Sequence, residues 1–164
     1  MKKLWAAAAV LTAVTLGTVA AGSGASATPP TGNPDLPSGT VPVVGTLDAG
    51  TLARQDGISL RVRRDTTVRT FTLTYPIGSS SGWHRHPGIV LAVVQQGTVV
   101  RQVGCRRERF TVGDSFTEVA PHRISNRYRE ADQPGAAPAV LSITQLFPAG
   151  TEMPRVEEPA PRCS

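Results

Sequence analysis

Apolar and polar residues alternate over short stretches from residue 58 to residue 147, and turn-forming residues separate these stretches. Residues two apart along a strand share a face, so a period of two predicts half-buried β-strands. The segment 68–75 is also rich in β-branched and aromatic residues, as strands commonly are. The predicted strands are 58–63, 68–75, 83–86, 89–94, 98–103, 109–112, 115–119, 122–128 and 139–147.

Glycine and proline mark the ends of these segments, and no amphipathic helix is predicted beyond residue 27. Many short strands with regular turns predict an all-β antiparallel fold over residues 46–148, either a closed barrel or two packed sheets. Segments 115–119 and 122–128 are expected to form a hairpin around Ala120-Pro121. Residues 28–45 and 149–164 are rich in proline or glycine and are expected to be an arm and a tail.

The first residues are typical of a secretory signal peptide. Met1-Lys2-Lys3 precedes an apolar run to about Ala21, and Ala25-Ser26-Ala27 has the small residues of a cleavage site. A membrane anchor is the alternative, since the run approaches the ~20 residues that span a bilayer. Thr and Gly dilute the run, so we expect cleavage after Ala27 and a secreted protein without a membrane span.

The charged residues do not point to a further function, whereas the two cysteines add a candidate disulfide to the prediction. Both lysines lie in the signal segment, and the rest of the chain has 15 Arg against 12 acidic residues. The arginines are scattered with few aromatics among them, which argues against nucleic-acid binding. Cys105 and Cys163 are the two cysteines. In an exported chain they form a candidate disulfide, with two free thiols as the alternative.

The strongest candidate for chemistry is the pair His84 and His86. Two positions on one strand face would direct both imidazoles to the same side, where they could clamp a transition metal. Gly78 precedes His84 by five intervening residues, Val90 follows His86 after three, and Gly97 follows Val90 after six. This spacing resembles the first motif of the cupin family, in which a Glu ligand stands at the position of Val90.

A second, looser motif follows. Gly113-Asp114 opens it, Ala120-Pro121 lies at its turn, and His122 with Asn126 ends it. An ungapped match places Ile124 at the family's His position, and a turn two residues shorter places His122 there. Both share a face, but they stand about 6.6 Å apart along the strand, so one of them reaches the metal.

The resemblance covers roughly residues 58–147 and implies a cupin β-barrel. It implies a divalent metal, Zn, Fe, Mn, Ni or Cu, held by His84, His86 and His122. Glu118 is a candidate for the missing carboxylate ligand, with a solvated strand end as the alternative. The resemblance also implies a small-molecule ligand and a possible homodimer. Two functions stay open: a secreted module that binds a metal or small ligand, and a metal-dependent dioxygenase or isomerase. A Ser79–Ser81 hydrolase is disfavoured because no third group orients it.

Overall fold

The computed structural model describes residues 26–32, 41–126 and 136–163. The signal segment, apart from its last residues, lies outside the described residues. Twelve strands follow along the chain: β1 Val43–Leu47, β2 Leu52–Gln55, β3 Ile58–Arg61, β4 Thr66–Tyr75, β5 His84–Arg85, β6 Ile89–Gln96, β7 Thr98–Val103, β8 Arg106–Thr111, β9 Ser115–Glu118, β10 His122–Ser125, β11 Ala139–Pro148 and β12 Val156–Glu157.

The strands form two five-stranded antiparallel sheets and one separate hairpin. The first sheet has the order β1-β4-β11-β6-β9, and the second has the order β12-β5-β10-β7-β8. Strands β2 and β3 pair only with each other in the described structure. The fold is therefore all-β and antiparallel, as predicted. Its described strands are arranged as two packed sheets of the jelly-roll kind, and the strand pairing does not run around a closed ring.

The alternation of the sequence appears directly in the burial of the strands. In β11 every second residue from Ala139 to Phe147 is buried, and β6 alternates exposed and buried residues from Ile89 to Val94. Both sheets contribute to one core. Its members are Tyr75, Val90, Ala92, Val94, Val99, Phe116, Ile124, Ala139, Leu141 and Ile143. Burial of these side chains is the main stabilising contribution to the fold.

The hairpin predicted around Ala120-Pro121 is wrong. Strand β9 pairs with β6 in the first sheet, whereas β10 pairs with β5 and β7 in the second. Pro121 cannot donate a backbone hydrogen bond, and the short connection crosses from one sheet to the other instead of closing a ladder. The crossing turns the inner faces of both strands toward the same interior.

The terminal segments lie against the two sheets. Strand β1 spans the expected boundary between arm and barrel, and β12, within the expected tail, pairs with β5. Residues 26–32 run beside both, since the Thr28 amide donates to the Glu158 carbonyl at 3.1 Å. Cys105 and Cys163 lie at disulfide distance, with Cα atoms 5.6 Å apart. None of the described residues forms a helix long and apolar enough to cross a membrane.

Candidate metal centre

Three histidines meet where the two strands β5 and β10 pair. His84 stands directly opposite His122 in that antiparallel pair, and His86 follows immediately after β5. His84 and His122 are 3% and 1% exposed, so the cluster lies inside the protein. Ile124, the other candidate of the second motif, is also buried but belongs to the apolar core. Of the two positions, it is His122 that reaches the other histidines.

Glu118 joins the cluster from the opposite sheet. It is the last residue of β9 and pairs directly with Val90 of β6. Directly opposite residues share a sheet face, with Cβ atoms about 4.5–5.5 Å apart. Glu118 therefore brings a carboxylate to the neighbourhood of the position where the related motif has its Glu. Its side chain is 7% exposed, which excludes a solvated strand end.

The four side chains converge on a small volume. One ligand atom from each of His84, His86, Glu118 and His122 lies within 4.8 Å of all the others. Glu118 Oε2 is 2.9 Å from His122 Nε2 and 3.3 Å from His86 Nε2. Opposite ligands of an ion bound at about 2.1 Å would be about 4.2 Å apart. The cluster thus has the residue types and approximately the dimensions of a metal centre.

Hydrogen bonds orient each imidazole in the same way. The Nδ1 atom of His84 is 3.1 Å from the Gly82 carbonyl oxygen, and that of His122 is 2.7 Å from the Ala120 carbonyl oxygen. His86 Nδ1 is 2.6 Å from the carbonyl oxygen of Pro154. A carbonyl oxygen only accepts, so each Nδ1 carries the donated proton. In a neutral imidazole the lone pair is then on Nε2, and in His86 and His122 this nitrogen faces Glu118.

The cluster therefore brings acceptors together without a matching donor. Within the described residues, no hydrogen-bond partner satisfies the buried Nε2 of His122. Its short contact with Glu118 Oε2 joins two atoms that both carry lone pairs. Such a contact is favourable only when a proton or a cation lies in the cluster. Backbone carbonyls that fix the outer nitrogens of histidine are the usual surroundings of a metal ligand.

Electrostatics keep two of these groups in their ligand forms. Burial, with the neighbouring His122 and Arg155, lowers the pKa of His84 to about 3, so this imidazole is neutral at neutral pH. Burial acts to raise the pKa of Glu118, but a proton that His122 or His86 shares with the carboxylate outweighs burial and holds that pKa below its usual range. A neutral imidazole and an ionised carboxylate are the forms that bind metals.

A cavity of about 260 Å³ lies beside the cluster. His84, His86 and Glu118 form part of its wall, and apolar side chains of β4 and β11 form much of the rest. The Tyr75 hydroxyl also belongs to this wall, and its pKa is raised by burial and by the charge of Glu118, so it is a neutral donor. The volume lies below the about 300–1,000 Å³ of drug-sized pockets, so a ligand of this cavity is small.

Sequence reasoning missed three polar residues in the cavity wall: Arg69, Gln145 and Arg155. A signal was available for the first two. Arg69 has the same parity as the buried Tyr75 on β4, and Gln145 has the same parity as Leu141 and Ile143 on β11. A charged or amide residue at an inward position of a strand suggests a polar role in the interior. Arg155 lies in the segment expected to be a tail, and no such pattern marks it.

The sequence matches a family model described as the cupin domain over residues 71–132. The matched segment extends from β4 to beyond β10 and contains all four residues of the cluster. No curated protein matches the chain.

Solved structures of several bacterial proteins are similar. The lyase DddQ for DMSP from Ruegeria pomeroyi is 17% identical, with a TM-score of 0.43, over 54% of this chain and 42% of that one. A cupin-like protein from Thermotoga maritima is 18% identical, with a TM-score of 0.42, over 57% of this chain and 65% of that one. A predicted oxalate decarboxylase from the same organism is 16% identical, with a TM-score of 0.40, over 52% and 83%. The chain covers less than two thirds of the first two proteins.

Proposed function

Because this chain contains a cupin domain, we propose that it binds a divalent metal ion through His84, His86, Glu118 and His122 and a small molecule in the adjoining cavity. The single observation that carries the proposal is the orientation of the histidines. Each donates its Nδ1 proton to a backbone carbonyl, and His86 and His122 turn Nε2 toward the carboxylate of Glu118. A cation satisfies all four groups at once.

The donor set fits a transition metal better than calcium or magnesium. Imidazole nitrogen suits Zn, Cu, Fe and Ni, whereas Ca and Mg prefer oxygen ligands throughout. Three imidazoles and one carboxylate leave the choice among the transition metals open, so the proposal names the class and not one ion. Bound there, such an ion would act as a Lewis acid toward a ligand in the cavity.

An enzyme is the second candidate, and the cavity favours it. A binding module needs only the four ligands, but here the cluster forms one wall of a space able to hold a small substrate. Tyr75 places a neutral, buried hydroxyl in the same wall, where it can donate a hydrogen bond to that substrate. A metal-dependent dioxygenase or isomerase would use this arrangement.

We also propose that the protein acts after export. The signal-like N-terminal segment supports this, and so does the placement of Cys105 and Cys163 at disulfide distance. Disulfides persist in oxidising compartments and are rare in the cytosol. The pair joins the β7–β8 turn to the C-terminal segment, and that segment carries Pro154, the hydrogen-bond partner of His86.

The metal content of the protein tests the main proposal. The protein is purified without chelators, and bound metal is measured by plasma mass spectrometry after zinc loading. We expect one zinc ion per chain in the wild type and a loss of bound zinc in both His84→Ala and His122→Ala. Arg107→Ala, an exposed position outside the cluster, is the matched control and retains zinc.

Two results would overturn the proposal: a wild-type protein that takes up no metal, or histidine variants that retain one zinc per chain. Circular dichroism of each variant separates a lost ligand from a lost fold. For the enzyme candidate, a panel of small substrates is assayed with the metal-loaded wild type and with Tyr75→Phe. Unchanged turnover in that variant would argue against a role for the hydroxyl.

A further inference from the structure

We infer that the ligand of the cavity is a small organic anion, a carboxylate on an apolar body, and that Arg69 with Gln145 binds the carboxylate. This inference rests on the proposed function for the location of the ligand, since it places the anion in the cavity that adjoins the metal cluster. It adds the chemical class of the ligand and the residues that select it.

The first support is a row of residues that crosses the first sheet. Arg69 of β4 pairs with Gln145 of β11, Gln145 pairs with Val90 of β6, and Val90 pairs with Glu118 of β9. Directly paired residues share a face, so all four point to the interior. Neighbouring strands are about 4.8 Å apart, which places the backbones of Arg69 and Glu118 about 14 Å from each other. The cavity between them is thus bordered by a cation at one end and by the metal cluster at the other.

The second support is the partner of Arg69. Its Nε and Nη2 donate to Gln145 Oε1 at 3.0 and 2.5 Å, and within the described residues this neutral oxygen is its only hydrogen-bond acceptor. A guanidinium has five N–H donors, so several remain for a ligand. Burial lowers the pKa of Arg69, which shows that its charge is partly removed from water. With its oxygen held by Arg69, Gln145 offers its amide NH₂ as a further donor.

Arg101 shows how an arginine that stacks on aromatic rings is paired with a carboxylate elsewhere in this protein. The guanidinium carbon of Arg101 lies 5.3 and 5.4 Å from the ring centres of Phe110 and Phe116. The carboxylate of Glu108 then accepts hydrogen bonds from Arg101, with Nε at 3.1 Å.

Arg69 also stacks on two aromatic rings, but no carboxylate of the described part of the chain pairs with it. Its guanidinium carbon lies 5.0 and 5.8 Å from the ring centres of Phe71 and Phe147. Stacking of this kind holds the planar group in one orientation, which suits a two-point contact with a carboxylate. Among the described residues, the amide of Gln145 stands where Arg101 has the carboxylate of Glu108, so an external carboxylate would complete the arrangement as Glu108 does for Arg101.

The walls of the cavity determine the rest of the ligand. The apolar side chains of Phe71, Leu73, Leu141 and Ile143 also line the cavity, and they lie two or four residues along β4 and β11 from Arg69 and Gln145. The second arginine of the wall, Arg155, is already paired with Glu157, with Nε and Oε1 2.6 Å apart. One available cation and apolar walls favour one carboxylate on a compact hydrocarbon body.

The test uses benzoate and its neutral isostere benzamide as probes. Binding to the full protein is measured by isothermal titration calorimetry, once after metal removal and once after zinc loading. We expect benzoate to bind more tightly than benzamide in the metal-free protein, where zinc cannot hold the carboxylate. Arg69→Gln should weaken benzoate about tenfold or more, the scale of a charged hydrogen bond. Arg69→Lys should weaken it less, because the charge remains while the planar fork is lost.

Arg61→Gln is the matched control, since Arg61 is exposed on the separate β2–β3 hairpin, and its benzoate affinity should equal that of the wild type. The inference is overturned if benzoate does not bind the wild type, if benzamide binds equally well, or if both Arg69 variants bind as the wild type does. Zinc content is measured in parallel. Failure of the proposed metal site appears as absent zinc with intact, Arg69-dependent benzoate binding. If this inference fails, the zinc content is normal and the benzoate affinity of the Arg69 variants equals that of the wild type.

Discussion

Two neighbouring rows of side chains cross the inner face of the first sheet, and they differ in chemistry at every strand except β6, which contributes an apolar residue to both. The apolar row joins Phe71, Ile143, Ala92 and Phe116 in direct register. Two residues further along the same strands, the polar row joins Arg69, Gln145, Val90 and Glu118. A step of two residues is about 6.6 Å, so the core and the candidate site occupy adjacent layers of side chains.

The comparison shows how one sheet serves two purposes. The apolar row packs as the core and contributes stability by burial. The polar row buries charges, which stabilise a fold poorly even when they are paired. The metal ion and the anion proposed above would account for its residues, and the adjacent apolar row holds them in place. Changes in the two rows should therefore affect different measurements.

The largest expected effect comes from the apolar row. Ile143→Ala should lower the free energy of unfolding by about 2–5 kcal/mol, because it removes buried methyl groups and leaves a cavity. Urea denaturation measures this. Ser142→Ala, on the opposite face of β11, is the control and should change stability by less than about 0.5 kcal/mol. At urea concentrations below its unfolding midpoint, the Ile143→Ala variant should still bind zinc. Full stability in this variant would show that the row is not the core.

The next effect concerns the polar row and its unusual carboxylate. Glu118→Val should weaken zinc binding by roughly a hundredfold, since a charged ligand is lost. The double variant Val90→Glu/Glu118→Val transfers the carboxylate across a directly paired position and should recover most of the affinity. Competition with a chelator gives both constants. Wild-type affinity in Glu118→Val would remove this residue from the ligand set, and no recovery in the double variant would show that β6 cannot supply the carboxylate.

The smallest effect is the dependence of the metal-free protein on pH. His84 has a folded pKa of about 3, below the value of about 6.5 expected when unfolded. The unfolded chain therefore binds the proton first, and stability should fall as the pH decreases from about 6.5 toward 3. Glu118, whose pKa is also lowered, adds a loss in the same direction below about 4.5. Urea midpoints at pH 7.5 and 5 measure the effect of His84, and His84→Asn should show a smaller difference. Equal midpoints for the wild type would contradict it.

Much of the fold could be predicted from local pattern. Segment 98–103 was predicted with the bounds that β7 has, and segments 68–75 and 139–147 correspond to the long strands β4 and β11. Strands β1, β2 and β12 were not predicted. They are short or mostly exposed, and an exposed strand carries little alternation from which to predict it.

The sequence by itself determined which residues face the interior. The period of two placed His84 and His86 on one side and gave His122 and Ile124 the same face, as the structure also has them. Spacing alone was enough to suggest the resemblance to cupins. With two cysteines in the chain, one intramolecular pairing was possible, and the structure brings those residues to disulfide distance.

Only the tertiary structure decided how deep each of these residues lies and what it meets. It placed His122 opposite His84, Glu118 opposite Val90, and Arg69 in line with both through Gln145. Alternation has no information about the register between strands that are distant in the chain. That register is set by the packing of the whole sheet, and a shift of two residues keeps every side chain on its face while moving it from the polar row to the apolar one.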